Sequence, residues 1–598
     1  MTQARQAPSP MRWIPVAVFA YLFLMSVSRA KGLPDFMFDM YNDSALRLVE
    51  VRDLLNGKPW FDLTQPRLGL DGGFEMHWSR LVDAPIAGLI LLFDLVTTRA
   101  QAEYLAIFCW PLILLALTMW LVGRIAATLG GRNAAPFAAA LAGFMLWLEV
   151  RFLPGSIDHH NVQIALFLTM LLGILGRREN RWLPVLAGVA LAASLAVGVE
   201  TLPLLAMGTL GLAGFWLALG APERAPVLGF AAGGIGGLLV LFVALAPASA
   251  YRGGFCDALS IDLAVPVALG LGAMALAALT VSGRGLALRG AVLGALFAGV
   301  AGGTLAALPS CLHNPLDALD PYLAQHWLAF VTEARGLDDL LRSSGLLFLY
   351  GYYLVGLATV ILSAWFAWNQ RSASWLLMTL LLIGALALTI YQLRGASALL
   401  TLCAPVLGVL ITRLHQIWQR DRRPIAALAA FACFLLAVPM TWGEILDGTE
   451  RVISQVAGPA HAATSAKTDT RACFTAKSTA ALAALPTGVV SAPSNLGTQI
   501  LLHSAHRTLS APYHRNQGGM RRQLEITLAQ SPAEAHSLLT ETGIDYLVLC
   551  PDDPELVSLH RHGYSGFGYD VERGAVPAFL DPVAHGDSES GLLIFRVR

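Results

Sequence analysis

AAPFAAALAGFMLWLEVRFLPGSIDHHNVQIALFLTMLLGILGRR, residues 134–178, contains two apolar runs, 134–150 and 161–176. The loop between them carries Pro154, Gly155, Asp158, His159 and His160, and Arg177 and Arg178 follow the second run. Each run approaches the ~20 apolar residues needed to cross a bilayer core. The order apolar, ionisable, apolar, basic reads as a helical hairpin in a membrane. Its Asp-His-His loop is at one face and its arginines are at the other.

The same pattern extends along the chain. Further apolar runs cover 12–29, 103–123, 182–198, 201–220, 226–249, 264–282, 287–308, 345–368, 375–391, 396–412 and 424–443, giving about 13 transmembrane helices. Arg124 and Arg132, Arg177-Arg178-Arg181, Arg224, Arg284 and Arg289, Arg371, and Arg420-Arg422-Arg423 fall in alternate breaks. The positive-inside rule makes those loops cytoplasmic. The other loops, and everything after about 444, then face the periplasm. Residues 84–98 are apolar but short and contain Asp94. As a span they would invert every later loop, so they read as a helix lying within or dipping from a long outer loop. Residues 12–29 lack a good signal-cleavage site and read as an uncleaved first span.

Composition agrees with this reading. Of 598 residues, 56% are hydrophobic and 13% charged, against about 25% charged in soluble domains. Forty basic residues balance forty acidic ones, which argues against a nucleic-acid partner bound on a basic face. Arginine far outnumbers lysine, as in GC-rich bacterial genomes, and this points to a bacterial inner membrane.

The fold class expected is a polytopic α-helical membrane protein with a small C-terminal periplasmic α/β domain. The transmembrane domain is 1–443, with a long first periplasmic loop at 30–102, and the outer domain is 444–598. In the outer domain GVVSAP (488–493) and YLVLC (546–550) read as strands, and SPAEAHSLLTETG (531–543) as a capped helix ending at a glycine. Cys109, Cys403 and Cys433 fall in spans. Cys256 and Cys311 fall in two outer loops, and Cys473 and Cys550 in the outer domain, suggesting two disulfides in an oxidising compartment.

The ionisable residues of the outer face are the candidates for chemistry. Asp43 opens the helical stretch SALRLVEVRDLLNG and is either an N-cap or a functional carboxylate. His77, between Met76 and Trp78, is an interfacial histidine or a ligand. Asp158 and His160 supply mixed O/N ligation for a divalent cation, with capping by Asp158 or Asn161 as the alternative. Two spans separate Asp43 from Asp158, so both lie on the outer face. Asp43, His77, Asp158 and His160 together would hold Mn²⁺ or Mg²⁺ with positions left for substrate oxygens. Glu333, in WLAFVTEARG, and Arg394, in YQLRGAS, belong to the same face. Arg394 either binds a phosphate or snorkels to the headgroups.

Together these residues resemble the catalytic subunit of the oligosaccharyltransferases, C-type glycosyltransferases, in their archaeal pattern. YNDSALRLVEVRDLL matches the family's first-loop Asp at Asp43, and His77 matches the archaeal His further down that loop. GSIDHH fits the G-x-x-D-x-[DEH] motif through Asp158 and His160. FVTE fits the later [ST]-[VI]-x-E motif loosely through Glu333, and Arg394 is the counterpart of a phosphate-contacting Arg. The family's W-W-D-Y-G motif, which reads the Asn-x-Ser/Thr acceptor, is absent, since no Trp follows Trp442. LSAPYHRNQGG, with Tyr513, His514 and Arg515, is either an acceptor loop or a charged surface turn.

The resemblance implies transfer of a sugar or oligosaccharide from a polyprenyl-phosphate-linked donor to a glycan, lipid or protein acceptor at the periplasmic face. In that scheme Asp158, His160 and His77 hold the metal. Asp43 stands at the metal's edge and orients or deprotonates the acceptor, Glu333 holds the acceptor and Arg394 the phosphate. A monosaccharide passed to a lipid or surface-glycan hydroxyl is the nearest rival. A transporter using Glu200 and Asp447, or a non-catalytic envelope assembly protein, are the rivals of other classes.

Overall fold

The computed structural model describes residues 10–30, 42–147, 149–254, 256–308, 319–331, 334–343, 349–446, 473, 476–551, 553–583 and 591–598. Among these, nine helices are long and apolar enough to cross a membrane, or ten if the bent pair Pro424–Ala437 and Pro439–Leu446 is one span. Leu239, Val243, Ile361 and Trp368 stand exposed along them, as side chains facing lipid would. The chain is a multi-pass membrane protein.

The helices near the Asp-His-His loop are short. Ala134–Trp147, His160–Leu175 and Trp182–Val197 have 14, 16 and 16 residues. At ~1.5 Å per residue they rise less than the ~30 Å of a hydrocarbon core. They are largely buried among neighbouring helices, Arg99–Gly130 among them. The expected helix in the first outer loop is Arg80–Asp94, started by the Ser79 side chain accepting from Leu81 N. Val82, Ile86 and Ile90 are buried on one side, and Leu91 and Leu92 stay exposed on the other.

Beyond residue 476 the chain forms a five-stranded sheet. Its order is Arg507–Thr508, Val489–Ser491, Tyr546–Leu549, Leu593–Val597, Leu580–Pro582. The first three strands are parallel and the last two join antiparallel. Pro532–Glu541 is capped by Ser531, and Gly543 follows at φ +64°. Cys473 and Cys550 form a disulfide beside this sheet. Cys256 is also disulfide-bonded, and Cys311 lies outside the described residues.

The first outer loop is stitched to this sheet. Thr508 N donates to Arg67 O (2.8 Å) and Gly69 N to Thr508 O (2.9 Å), so residues 67–69 run beside the edge strand. Arg67 also donates to Leu501 O and Ser504 O, and Arg52 to Leu502 O. Asn42, at the start of helix Asn42–Leu55, bonds Asn495 and Thr498. These ties hold the sheet against residues 42–69.

Candidate active site

The Asp-His-His loop is fixed from three directions. Gly155 takes φ +94°, open to glycine at little cost, and its N–H reaches Ile107 O. Ile157 N donates to Ser44 Oγ at 3.1 Å, which sets Asp158 close to Asp43. Asn161 Nδ2 donates to Arg151 O and Ser156 O. Helix His160–Leu175 has no side-chain cap. Asn161 is therefore engaged elsewhere, while one Asp158 oxygen accepts the backbone N–H of His159, the residue just before the helix, at 2.6 Å.

Asp158 lies between two imidazoles. One carboxylate oxygen is 2.6 Å from His159 Nδ1, and the other bonds His160 Nδ1. That second bond fixes the His160 ring and leaves Nε2 buried with no hydrogen-bond partner. An imidazole oriented by a carboxylate, with its other nitrogen open, is the usual form of a histidine metal ligand. On the far side of His159, Nε2 meets Glu200 Oε1 at 3.1 Å. Burial alone would lower the pKa of His159, but Asp158 and Glu200 outweigh it and raise the pKa to about 10. Arg47, fully buried, lies 3.3 Å from His159 Nδ1, pairs with Asp83 at 2.7 Å and covers Trp78 at 4.3 Å.

Arg394 occupies a turn, Leu393–Gly395, between two long helices. It lines a cleft together with His160, Arg151 and Glu200. His160 and Arg394, 234 residues apart in sequence, thus border one opening.

The remaining residues fall elsewhere. His77 does not join Asp158 and His160. It lies with Asp257 and His514, their potential ligand atoms within 4.8 Å of one another. Burial, then the neighbouring His514, holds the His77 pKa well below the ordinary imidazole value. Asp257 is engaged twice over: Arg515 grips both its oxygens at 2.6 and 2.8 Å, and His514 Nε2 is 2.8 Å away. Burial works against the Asp257 charge, but these partners dominate and hold its pKa well below the carboxylate range. A carboxylate saturated by a guanidinium is a poor metal ligand, so this second group reads as a clasp between two outer segments. Tyr513, next in the loop, is buried and meets Trp78 edge-on at 5.5 Å. Burial and the Asp43 carboxylate its hydroxyl faces raise its pKa. Gly497 makes this loop position possible, since a Cβ there would lie 1.8 Å from Ser510 O. Glu333 lies outside the described residues.

Sequence reasoning left Arg47, Arg151, His159, Gln163 and Asp257 without a role. Arg47 stands one helical turn after Asp43, a spacing that could have drawn attention to it.

No family model matches the sequence, and no curated protein does. Solved structures do. The archaeal oligosaccharyltransferase AglB from Archaeoglobus fulgidus, in complex with an inhibitory peptide and a dolichol-phosphate, superposes with TM-score 0.62 at 14% identity, covering 90% of this chain and 70% of that one. The chain shares the fold of the archaeal oligosaccharyltransferases. An Archaeoglobus fulgidus oligosaccharyltransferase in complex with Zn and sulfate gives TM-score 0.54 at 15% identity, over 90% of this chain and 68% of that one. Another structure of it, tethered to an acceptor peptide containing the NVT sequon, gives TM-score 0.62 at 15% identity, over 90% and 69%.

Proposed function

We propose that this protein is a membrane glycosyltransferase. It moves a sugar from a polyprenyl-phosphate-linked donor to an acceptor at the periplasmic face of a bacterial inner membrane. The reading is supported by one juxtaposition, His160, oriented by Asp158, and Arg394 bordering one cleft, in a fold shared with an oligosaccharyltransferase.

The donor set fits a divalent cation. His160 presents a buried, unpartnered Nε2, Asp158 supplies carboxylate oxygens and Asp43 lies nearby. Mixed carboxylate and imidazole ligation suits Mn²⁺ or Mg²⁺. A cation bound there supplies positive charge beside the leaving phosphate. Arg394 neutralises the same phosphate as the bond from the anomeric carbon to the phosphate oxygen breaks and that oxygen leaves with the electron pair. The acceptor hydroxyl forms the new bond to the anomeric carbon, and Asp43 takes or orients its proton. Tyr513 bounds Asp43 from the acceptor side, and Glu333 is assigned to the acceptor as well.

The absence of W-W-D-Y-G favours a hydroxyl of a glycan or lipid over a peptide sequon, and a single sugar over an oligosaccharide. The test is sugar transfer from a polyprenyl-phosphate-linked donor by purified protein. Transfer is expected to vanish with chelator, with Asp43→Ala and with Asp158→Ala. Wild-type protein that binds neither the cation nor the lipid-linked sugar overturns the reading.

A further inference from the structure

Glu200 lies outside every step above, yet the fold builds a place for it. It follows helix Trp182–Val197 and precedes helix Leu202–Leu219, at the outer end of both. Its Oε1 is 3.1 Å from His159 Nε2, and its Oε2 accepts from Gln163 Nε2 at 2.6 Å. Gly198 leaves the space that the carboxylate fills, because a Cβ there would lie 2.4 Å from Glu200 Oε2. Two donors and one missing side chain therefore hold the group in a single orientation.

That orientation is toward the cleft. Glu200 borders the same opening as His160, Arg151 and Arg394, and its side chain keeps 21% of its surface exposed. Arg394 and Arg151 suit an anion, whereas a carboxylate repels a phosphate. An anionic acceptor in a phosphate-binding cleft therefore needs a different part of the ligand to serve. The part joined to the phosphate is the sugar, and its groups are hydrogen-bond donors. A carboxylate with two of its lone pairs already committed still offers others to hydroxyls.

We infer that Glu200 is the donor-sugar recognition residue, accepting hydrogen bonds from the ring hydroxyls, or an amino substituent, of the sugar about to be transferred. The inference rests on the glycosyltransferase reading and adds a specificity subsite to it. Its physical basis is that charged hydrogen bonds to a substrate hydroxyl discriminate strongly against ligands that lack it.

The experiment compares binding of undecaprenyl phosphate with binding of undecaprenyl-phosphate-linked glucose and its amino-sugar counterpart, in wild type, Glu200→Gln and Glu200→Ala. Wild type is expected to prefer at least one sugar-bearing lipid over the bare phosphate. Both variants are expected to lose that preference by about tenfold or more, with affinity for undecaprenyl phosphate no weaker than wild type. Equal weakening toward bare and sugar-bearing lipids would assign Glu200 to holding His159 and overturn the inference. So would a preference that survives both substitutions, or a wild type with none. A wild type that binds no polyprenyl phosphate at all overturns the donor reading itself, a result distinct from the others.

Discussion

Two clusters of histidine and aspartate flank Trp78, and the contrast between them separates a site for chemistry from a site for assembly. In the first, Asp158, His159 and His160 come from three consecutive positions, and His160 keeps an open nitrogen beside a cleft. In the second, His77, Asp257 and His514 come from three distant segments, and Arg515 saturates the carboxylate. Trp78 packs near both, 6.1 Å from His159 and 6.2 Å from His77. Both clusters combine imidazole with carboxylate. What differs is the partner of the carboxylate: Asp158 meets two imidazoles, whereas Arg515 takes both oxygens of Asp257. A guanidinium occupying both carboxylate oxygens leaves a divalent ion little to gain.

The largest effect should come from breaking the first cluster. Removing outer-sphere partners of a metal site typically costs 10- to 100-fold. Asp158→Ala removes both a ligand and the group that orients His160, so turnover should fall by at least about 100-fold. Isothermal titration with Mn²⁺ should lose its signal in the same variant. Asp158→Ala protein that keeps wild-type transfer would remove the first cluster from catalysis and erase the contrast.

Breaking the second cluster should have a smaller effect of a different kind. Arg515→Ala or Asp257→Asn removes hydrogen bonds between charged groups, each worth about 1.5–3 kcal/mol. The expected result is faster proteolysis of the segment after residue 476, with Mn²⁺ affinity within a few-fold of wild type. The clasp also predicts a pH signature. The Asp257 carboxyl is held well below its ordinary value, so its contribution to stability is present above about pH 4. It is lost as pH falls through the lowered folded value. Proteolytic protection should therefore stay flat from pH 5 to 8 and decline in strong acid, and Asp257→Asn should make the decline shallower. Loss of metal affinity in Arg515→Ala would show that the two clusters are one unit.

The contrast also marks how far local sequence carries. The DHH loop was legible because its chemistry lies within three residues between two apolar runs. Arginine-rich alternate loops placed it on the same face as Asp43 without any tertiary information. Arg394 was legible for the same reason, as a charge at the outer end of a span. The clasp was not. Asp257 and Arg515 are 258 residues apart, and no periodicity links them. The three short helices around the site were also hidden. Their apolar runs read as ordinary spans, whereas the helices have 14, 16 and 16 residues, and hydropathy does not show how far neighbouring helices bury them. Glu200 was visible as a charge near the membrane. Its meaning depends on His159, Gln163 and Gly198 converging on it in space.

His77 gives the finest test of the contrast, because the two lines of argument pull it in different directions. The family resemblance assigns it to the metal, whereas its neighbours are Asp257 and His514, with its ring 4.8 Å from that of His514. Its Nδ1 is buried with no hydrogen-bond partner, and its lowered pKa keeps it neutral and able to ligate. The ring therefore has the right chemistry and a position set by the clasp. His77→Ala should lower Mn²⁺ affinity by only a few-fold, far less than Asp158→Ala, and should raise proteolysis less than Arg515→Ala, since it forms no ion pair. A loss approaching that of Asp158→Ala would mean that His77 swings to the first cluster when a cation binds. Trp78, adjacent in sequence and in contact with His159, would then be the hinge, and the two clusters would be alternative states of one histidine.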